Sequence, residues 1–274
     1  TRSGFDWKAS PVSTLDDLRR EIDGIDVALH DLLMRRVEIG KQVADAKGGD
    51  RGPYFRPGRE AQIIRRLVAR NESYLNIPTL IRFWREILSA NLNMQTHVHA
   101  AVYLPEGAEK VYDLARDHCG ISATIERMDS ADAVLDAIAG GAATLGVLPG
   151  FPMTSARWWP QLVSDRTGLA TPRIIARLPF CETGAAVGVN GFAGDAFIVA
   201  GQEPESSGED KTLFAVRDGV ELAGEVIDAG DGYRLIEQDG FQEIPEGLER
   251  HLGGREGEVP YYRIGAYAVP VHAG

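Results

Sequence analysis

The chain has few cysteines and no long apolar run, and both absences narrow its possible function. Its 274 residues include only Cys119 and Cys181, which are far apart and lack the spacing of metal ligands. We expect reduced thiols rather than a disulfide framework. No stretch approaches the length of a membrane span, and the first ten residues lack the apolar run of a signal peptide. These absences predict a cytoplasmic protein.

Positive charge is also scarce, and it is unevenly distributed. The formal net charge is −11. Residues 1–100 hold 16 Lys and Arg against 13 Asp and Glu, a net +3, whereas residues 101–274 hold 13 against 27, a net −14. An acidic chain without a polybasic run is a poor match for nucleic acid or an anionic membrane. A small anionic substrate held by arginines in the N-terminal part is compatible with this distribution.

A heptad-like pattern over residues 14–47 predicts one long helix. Thr14 is a suitable N-cap, and Asp16 and Asp17 favour the positive end of the helix dipole. Gly48-Gly49 is expected to end the helix. A helix of about 50 Å cannot bury its apolar stripe alone, so we expect a second copy of the chain to cover it. The alternative is a purely structural coiled coil. The stripe, with intervals of three and four, is Leu15, Leu18, Ile22, Ile25, Leu29 and Leu32.

Two cations share one face of this helix. Arg36 and Lys47 are eleven residues apart, which places them within about 20° of each other, three turns apart. Arg19 projects about 100° away from Arg36, so it cannot easily join them in its own helix. It could reach the site of a partner helix that runs alongside.

Two shorter helices are predicted to follow. The second helix is expected to start at Arg59, after a loop rich in glycine and proline, and Glu60 lies in the same first turn. A cation at a helix N-terminus is mildly unfavourable, so Arg59 forms either a structural salt bridge or an anion site shared with Arg36. The predicted stripe of this helix is Ile63, Ile64 and Leu67. For the third helix, residues 78–95, the predicted inward residues are Leu80, Phe83, Ile87, Leu88 and Leu92.

Gln95 lies one turn after Asn91 near the end of this third helix and completes a set of polar residues on the three helices. In chain order the set contains Arg19, Arg36, Lys47, Arg59, Glu60 and Gln95. This arrangement over residues 14–97 resembles the all-helical chorismate mutase family. The resemblance implies an intertwined homodimer with two active sites, each completed by one arginine from the neighbouring subunit, which is Arg19 here. It also implies that no metal or organic cofactor is needed.

The resemblance assigns a role to each of these residues. Chorismate is a dianion that rearranges to prephenate in one unimolecular step, so the site must hold a compact conformer and stabilise charge on the ether oxygen. Arg36 and the neighbour's Arg19 would bind the carboxylates. Lys47 and Gln95 would face the ether oxygen. The remaining roles are a hydrogen bond from the ring hydroxyl to Glu60, a further carboxylate contact from Arg59 and a polar contact from Asn91.

Two positions depart from the family pattern. Asn91 replaces a common serine, and Arg56 replaces an aspartate found in some members, so substrate preference could differ.

Two alternative functions stay open. Isochorismate pyruvate lyase resembles this domain in fold and uses a similar cationic pocket. A non-catalytic regulator or partner-binding protein on the mutase scaffold is the third possibility.

Beyond a short linker, residues 101–202 predict a βαβαβ unit with a parallel sheet. This unit is similar to the first lobe of a prephenate dehydratase. The family's Thr-Arg-Phe motif is absent, and Gly150-Phe151-Pro152 replaces an expected Asn-Ser pair. We therefore predict a degenerate domain without dehydratase activity. Residues 203–210 predict a polar linker, and residues 211–274 a small α+β unit that resembles an amino-acid-binding ACT module. The predicted architecture is thus multi-domain, after an N-terminal extension at residues 1–13.

A tryptophan pair and a histidine pair are two smaller patterns in the sequence. The adjacent Trp158 and Trp159 cannot share one side of a helix, so one is expected in the core and the other on a neighbouring domain or subunit. His97 and His99 lie in a polar stretch, where solvated histidines are expected rather than a metal pair.

Overall fold

The computed structural model describes residues 14–46, 55–151, 157–163, 171–182, 195–247 and 260–272. The chain forms two compact units, residues 1–52 and 53–274, and each unit is described by itself. The helix end predicted at Gly48-Gly49 lies outside the described residues. The five helices of the described residues are α1 (Leu15–Ala46), α2 (Pro57–Ala69), α3 (Ile77–Gln95), α4 (Lys110–Cys119) and α5 (Ala131–Ala139).

Helix α1 begins at the predicted cap. The Oγ1 atom of Thr14 accepts a hydrogen bond from the backbone N–H of Asp17 at 3.2 Å, and the Asp17 carboxylate accepts one from the backbone N–H of Thr14 at 3.0 Å. This reciprocal arrangement satisfies two free backbone donors at the helix start. The hydrogen bond from the Thr14 hydroxyl lowers the pKa of Asp17. The prediction of a long helix capped by Thr14 is confirmed.

The apolar stripe of α1 is exposed in the single chain. Its six residues are between 46% and 67% exposed: Leu15, Leu18, Ile22, Ile25, Leu29 and Leu32. Exposed apolar side chains are common on proteins, but a continuous stripe of this length on one helix is typical of an interaction surface.

Helices α2 and α3 each have a proline in the first turn. Helix α2 starts at Pro57, two residues before the predicted start, because proline suits the first turn, where its missing N–H is not needed. The side chain of Asn76 caps α3 by accepting a hydrogen bond from the N–H of Thr79 at 2.8 Å.

The predicted inward face of α3 is correct in part. Leu80, Leu88 and Leu92 are buried, but the prediction for Phe83 is wrong, because its side chain is 55% exposed. The buried face also contains Ile81 and Arg85. A charged residue on this face interrupts the apolar pattern. A prediction from hydrophobicity alone therefore placed Phe83 on the buried face and left Arg85 out of it.

The residues after α3 form the predicted βαβαβ unit. The side chain of Ser130 caps α5 by accepting a hydrogen bond from the N–H of Ala133 at 3.1 Å. Strand β1 pairs in parallel with both β2 and β3. The first six strands are β1 (His99–Tyr103), β2 (Thr124–Met128), β3 (Leu145–Pro149), β4 (Arg173–Leu178), β5 (Cys181–Glu182) and β6 (Ala196–Ala200). The later strands are β7 (Asp210–Arg217), β8 (Glu225–Gly230), β9 (Tyr233–Asp239), β10 (Tyr261–Ala268) and β11 (Val271–His272).

One nine-stranded sheet joins the two C-terminal regions that the sequence suggested. Its strand order is β2-β1-β3-β6-β4-β10-β7-β9-β8, and β11 pairs separately with β5. Strand β10 pairs with β4 on one side and with β7 on the other. Residues 211–274 therefore extend the sheet of the preceding region. The predicted division into separate domains at residues 101–202 and 211–274 stays a prediction. Within the described residues, no helix is both long and apolar enough to cross a membrane.

Helices cover both faces of this sheet. On one face α4 packs its Val111 and Ala115 against alternate strand residues such as Val102 and Val147. On the other face α5 packs Leu135 against the opposite set of strand residues. Strands β3 and β6 are buried along their whole length, as expected for central strands covered on both sides.

The adjacent tryptophans are both buried, and Trp159 contacts residues 211–274, which the sequence predicted to be a separate unit. Trp158 and Trp159 are 1% and 0% exposed. The indole N–H of Trp158 donates to the carbonyl of Pro149 at 2.8 Å, and that of Trp159 donates to Oδ2 of Asp228 at 2.8 Å. The prediction assumed an α-helix, whereas these residues enter a short 3-10 turn, Trp159–Leu162, in which each ring finds a separate buried partner.

Candidate functional site

The structure places two of the predicted site residues on helix α1, in the first unit. Arg19 contacts Asp16 at 3.3 Å across one turn, and both side chains are largely exposed. Arg36 is half-buried. Lys47 lies outside the described residues. The other four predicted residues, Arg59, Glu60, Asn91 and Gln95, lie on α2 and α3 in the second unit.

Glu60 forms a buried ion pair that the sequence analysis missed. Its Oε2 lies 2.5 Å from Nη1 of Arg85, and the two side chains are 13% and 8% exposed. Burial lowers the pKa of Arg85, and the charge of Glu60 opposes this effect. The Arg85 guanidinium also lies over the ring of Phe180, 5.2 Å from its centroid. Glu60 is thus the counterion of an interior arginine, whatever else it contacts.

Arg59 lies in the first turn of α2, as predicted, and its side chain is exposed. Its Nη1 donates to Oε1 of Gln62 at 3.2 Å, and its backbone N–H donates to Oε1 of Glu205 at 3.1 Å. Glu205 also accepts hydrogen bonds from the Arg56 guanidinium at 2.9 and 2.8 Å. The cation that distinguishes this loop from the family pattern is therefore paired with a carboxylate far along the chain.

Asn91 and Gln95 are half-buried near the end of α3. Among the described residues, the Oδ1 atom of Asn91 is buried and has no hydrogen-bond partner. A buried carbonyl oxygen without a donor is costly, so this atom is suited to accept a hydrogen bond from a ligand or from a water molecule.

A pocket of about 300 Å³ lies beside Arg85, among the first turns of α3, the end of α4 and the end of β4. The exposed Arg82 and Asp117 pair at 3.3 Å near its mouth. His118 lines it too, and burial, assisted by the charge of Arg85, holds the pKa of His118 well below its usual value. Burial also raises the pKa of the neighbouring Cys119 thiol to about 12. Both groups are therefore neutral near pH 7.

Both histidines are hydrogen-bonded, His97 to strand β2 and His99, the first residue of β1, to the turn before β3. Nε2 of His97 lies 3.2 Å from Oγ1 of Thr124, and Nδ1 of His99 lies 2.8 Å from the carbonyl of Ala142. Within the described ranges, no group of three or more His, Cys, Asp or Glu side chains is placed to hold a metal ion.

The end of β3 is where a dehydratase-like domain was expected to carry an Asn-Ser pair. Here Gly150 packs directly against the carboxylate of Asp195, so closely that a Cβ atom at this position would lie 1.9 Å from Oδ1. Oδ2 of Asp195 accepts a hydrogen bond from Nε of Arg177 at 3.0 Å. Phe151 stacks on Trp158 beside them. The described part of this region is thus filled by an ion pair and aromatic rings.

The match to a known family decides the identity of the helical region. Residues 18–96 match the model of the family described as chorismate mutase type II. The helical region is a chorismate mutase type II domain. All seven predicted site residues fall inside the matched range, including Arg19 at its start and Gln95 at its end. The resemblance seen in the sequence is confirmed for this region.

Three relatives of the mutase domain are named bifunctional chorismate mutase/prephenate dehydratase. The protein of Stutzerimonas stutzeri is 29% identical over 145 residues, which are 51% of this chain and 40% of that protein. The protein of Pseudomonas aeruginosa is 30% identical over 49% of this chain and 38% of its own length. The protein of Aquifex aeolicus is 32% identical over 40% of this chain and 31% of its own length. The chain therefore spans less than half the length of these relatives.

The match to the Stutzerimonas stutzeri protein extends beyond the mutase domain. It is 145 residues long, whereas the mutase domain ends at residue 96 of this chain. Solved structures of prephenate dehydratases resemble this chain only distantly. The enzyme of Arthrobacter aurescens, solved with L-Phe, is 15% identical with a TM-score of 0.39 and covers 62% of this chain and 89% of its own. The enzyme of Streptococcus mutans is 12% identical with a TM-score of 0.36, and the covered shares are 63% and 99%. These values carry no inference about function.

Proposed function

We propose that this protein is a homodimeric chorismate mutase that rearranges chorismate to prephenate. The observation that carries the proposal is the family match over residues 18–96, which includes the complete set of cations, carboxylate and amide predicted from the sequence. These groups suit a reaction that needs no nucleophile, since charge grows on one ether oxygen while two carboxylates are held.

Each residue of the set has a role in this proposal. Arg36 and Arg59 bind substrate carboxylates together with Arg19 from the second subunit, because a guanidinium can bind a carboxylate through two parallel hydrogen bonds. Lys47 and Gln95 donate to the ether oxygen as its bond to carbon breaks. Glu60 accepts a hydrogen bond from the ring hydroxyl through the carboxylate that also neutralises Arg85, and Asn91 supplies a further polar contact.

The exposed stripe of α1 supports the homodimer. Six apolar side chains that are about half exposed in one chain would be covered by the same stripe of a second α1. Packing two such helices side by side removes this apolar surface from water. Each half-exposed leucine or isoleucine then contributes roughly 0.7–1.5 kcal/mol, half of the value for a fully exposed side chain. A partner helix alongside is also the route by which Arg19 reaches a site that is not its own.

The C-terminal region is proposed to lack dehydratase activity, although the named relatives are bifunctional. The proposal is supported by the ion pair of Arg177 and Asp195, which packs against Gly150 where the expected Asn-Ser pair is missing. Residues 101–202 and 211–274 would then serve the mutase as attached structural regions.

The reaction is tested by incubating the purified chain with chorismate and, separately, with isochorismate, and identifying the products. Prephenate from chorismate is the expected result. Salicylate with pyruvate from isochorismate would instead select a pyruvate lyase, and phenylpyruvate would show dehydratase activity in the same chain. No turnover of either substrate would contradict the proposal and favour a non-catalytic role.

The shared site is tested by mixing two inactive variants, Arg19→Ala and Arg36→Ala. In a mixed dimer, one site keeps its own Arg36 and receives an intact Arg19 from the other chain. Random reassociation makes half of the dimers mixed, each with one intact site, so about one quarter of wild-type activity should return. If both arginines served the same chain's site, mixing would restore nothing.

A further inference from the structure

We infer that Glu205 is a positioning residue that fixes the start of helix α2 and thereby holds Arg59 in place for the substrate. This inference rests on the proposed mutase function. Glu205 belongs to residues 203–210, which lie between β6 and the first residue of β7 and which the sequence predicted to be a polar linker. We refer to residues 203–210 as the latch segment.

The latch segment has a fixed internal structure. Ser207 and Asp210 are 6% and 5% exposed. The Asp210 carboxylate accepts hydrogen bonds from Oγ of Ser206 at 2.9 Å, from Oγ of Ser207 at 2.5 Å and from the backbone N–H of Gly208 at 3.1 Å. A carboxylate that gathers this many donors orders the backbone on both sides of it. Glu205 therefore extends from an ordered segment.

Glu205 provides the cap that α2 otherwise lacks. Arg56 occupies the N-cap position, and its side chain makes no capping hydrogen bond. Instead, Oε1 of Glu205 accepts from the backbone N–H of Arg59 at 3.1 Å. Oε2 accepts from Nε and Nη2 of Arg56 at 2.9 and 2.8 Å. The negative charge also complements the helix dipole, which offsets the unfavourable placement of Arg59 in the first turn.

A close approach of the two backbones is a second observation that links the latch segment to α2. A Cβ atom at Gly58 would lie 2.7 Å from the carbonyl oxygen of Glu205 and 2.9 Å from that of Ser206. Such distances are too short for any side chain without a backbone shift. The contact therefore depends on glycine in the first turn of α2.

Arg65 anchors the helix further along. Its Nη1 donates to Oγ of Ser207 at 2.9 Å, and its Nη2 donates to the carbonyls of Glu209 at 2.8 Å and Val269 at 2.7 Å. With Arg65 fixed two turns after the start, the hydrogen bond from Glu205 sets the orientation of the first turn. Glu205 accepts a hydrogen bond from the backbone N–H of Arg59, so the Arg59 guanidinium stays exposed for a ligand carboxylate.

The test compares Glu205→Gln with Glu203→Gln in the full chain. The glutamine keeps the shape of Glu205 but places an amide next to Arg56, so the charged pair is lost. Glu203 is a matched control, because it lies two residues earlier and pairs with Arg173 rather than with α2. For Glu205→Gln we expect KM for chorismate to rise about ten-fold with kcat within about two-fold, the pattern of a lost substrate-binding contact. Glu203→Gln should match the wild type.

Two further readouts separate positioning from a general loss of stability. In an Arg59→Ala background, Glu205→Gln should raise KM no further, because the side chain that it positions is absent. Hydrogen exchange of the peptide amides at residues 58–62 should become faster in Glu205→Gln, whereas the amides at residues 85–92 of α3 should not change. Glu205→Ala should show the same pattern more strongly.

Each outcome bears on a different statement. An unchanged KM and unchanged exchange in Glu205→Gln, with an active wild type, would overturn the inference and leave the proposed function intact. An equal rise in KM with and without Arg59 would also overturn it. A wild-type chain without turnover would instead contradict the proposed function, and faster exchange in Glu205→Gln would then support only the capping of α2.

Discussion

Glu60 and Arg85 form an ion pair inside the second unit, with 2.5 Å between Oε2 and Nη1. Glu60 comes from the first turn of α2, and Arg85 comes from the buried face of α3. The pair therefore joins two helices of the mutase domain. A residue that resemblance assigns to the substrate hydroxyl is at the same time the counterion of a buried guanidinium.

We expect Glu60→Gln to lower the free energy of unfolding by about 3 kcal/mol, because the buried Arg85 would lose its counterion. The measurement is urea unfolding followed by circular dichroism. The matched control is Asp117→Asn, which breaks the exposed pair with Arg82 and should change stability by less than about 0.5 kcal/mol. Equal effects of the two substitutions would show that burial of the Glu60 pair is unimportant.

Lys47→Ala should reduce kcat for chorismate by about 100- to 1000-fold, because the growing charge on the ether oxygen would lose its cation. The melting temperature should not change. Steady-state kinetics at saturating chorismate would measure the effect. The control is Lys41→Ala, since Lys41 lies six residues earlier, is exposed on α1 and should retain full activity. Intact activity in Lys47→Ala would exclude the assigned role.

The double substitution Ile25→Asp and Leu29→Asp should convert the proposed dimer into a monomer, because it places two charges in the apolar stripe of α1. Light scattering coupled to gel filtration would measure the mass. His30→Asp puts the same side chain at an exposed position next to the stripe and should leave the dimer intact. Activity should fall together with dimerisation, since each proposed site uses Arg19 of the other chain. A wild-type protein that is already monomeric would rule out this arrangement.

His118 should make stability depend on pH. Burial and the charge of Arg85 depress its pKa in the folded state, so below the ordinary value of 6.5 the unfolded chain binds a proton that the folded chain does not. This contribution is fully present above pH 6.5 and is lost as the pH falls, by at most about 1.4 kcal/mol per pH unit for one proton. Urea unfolding between pH 8 and pH 5 should therefore show a shallower loss for His118→Gln than for the wild type.

The control for this prediction is His97→Gln, which removes an exposed histidine near the same helices. Its stability should follow the wild-type curve over the whole pH range. If His118→Gln follows the same curve, the imidazole of His118 is not the group that couples stability to pH in this interval.

Local signals in the sequence determined the elements of this protein. Thr14 and Asp17 lie three residues apart, and Ser130 and Ala133 have the same spacing, so both caps were visible in the sequence. The heptad stripe of α1 and the βαβαβ order depend on spacings within one element or between neighbouring elements. The charged set of the mutase domain has a fixed register along the chain, and the family match confirmed the domain that it indicated.

Only the tertiary structure decided what these elements pack against. Glu205 caps a helix 146 residues earlier, and Arg85 pairs with Glu60 across 25 residues. Trp159 reaches Asp228 across 69 residues, which brought a second tryptophan into the core. A carboxylate or an indole N–H has the same chemical character whether it faces water or a distant partner. The position of that partner depends on how the whole chain folds, so no local pattern records it.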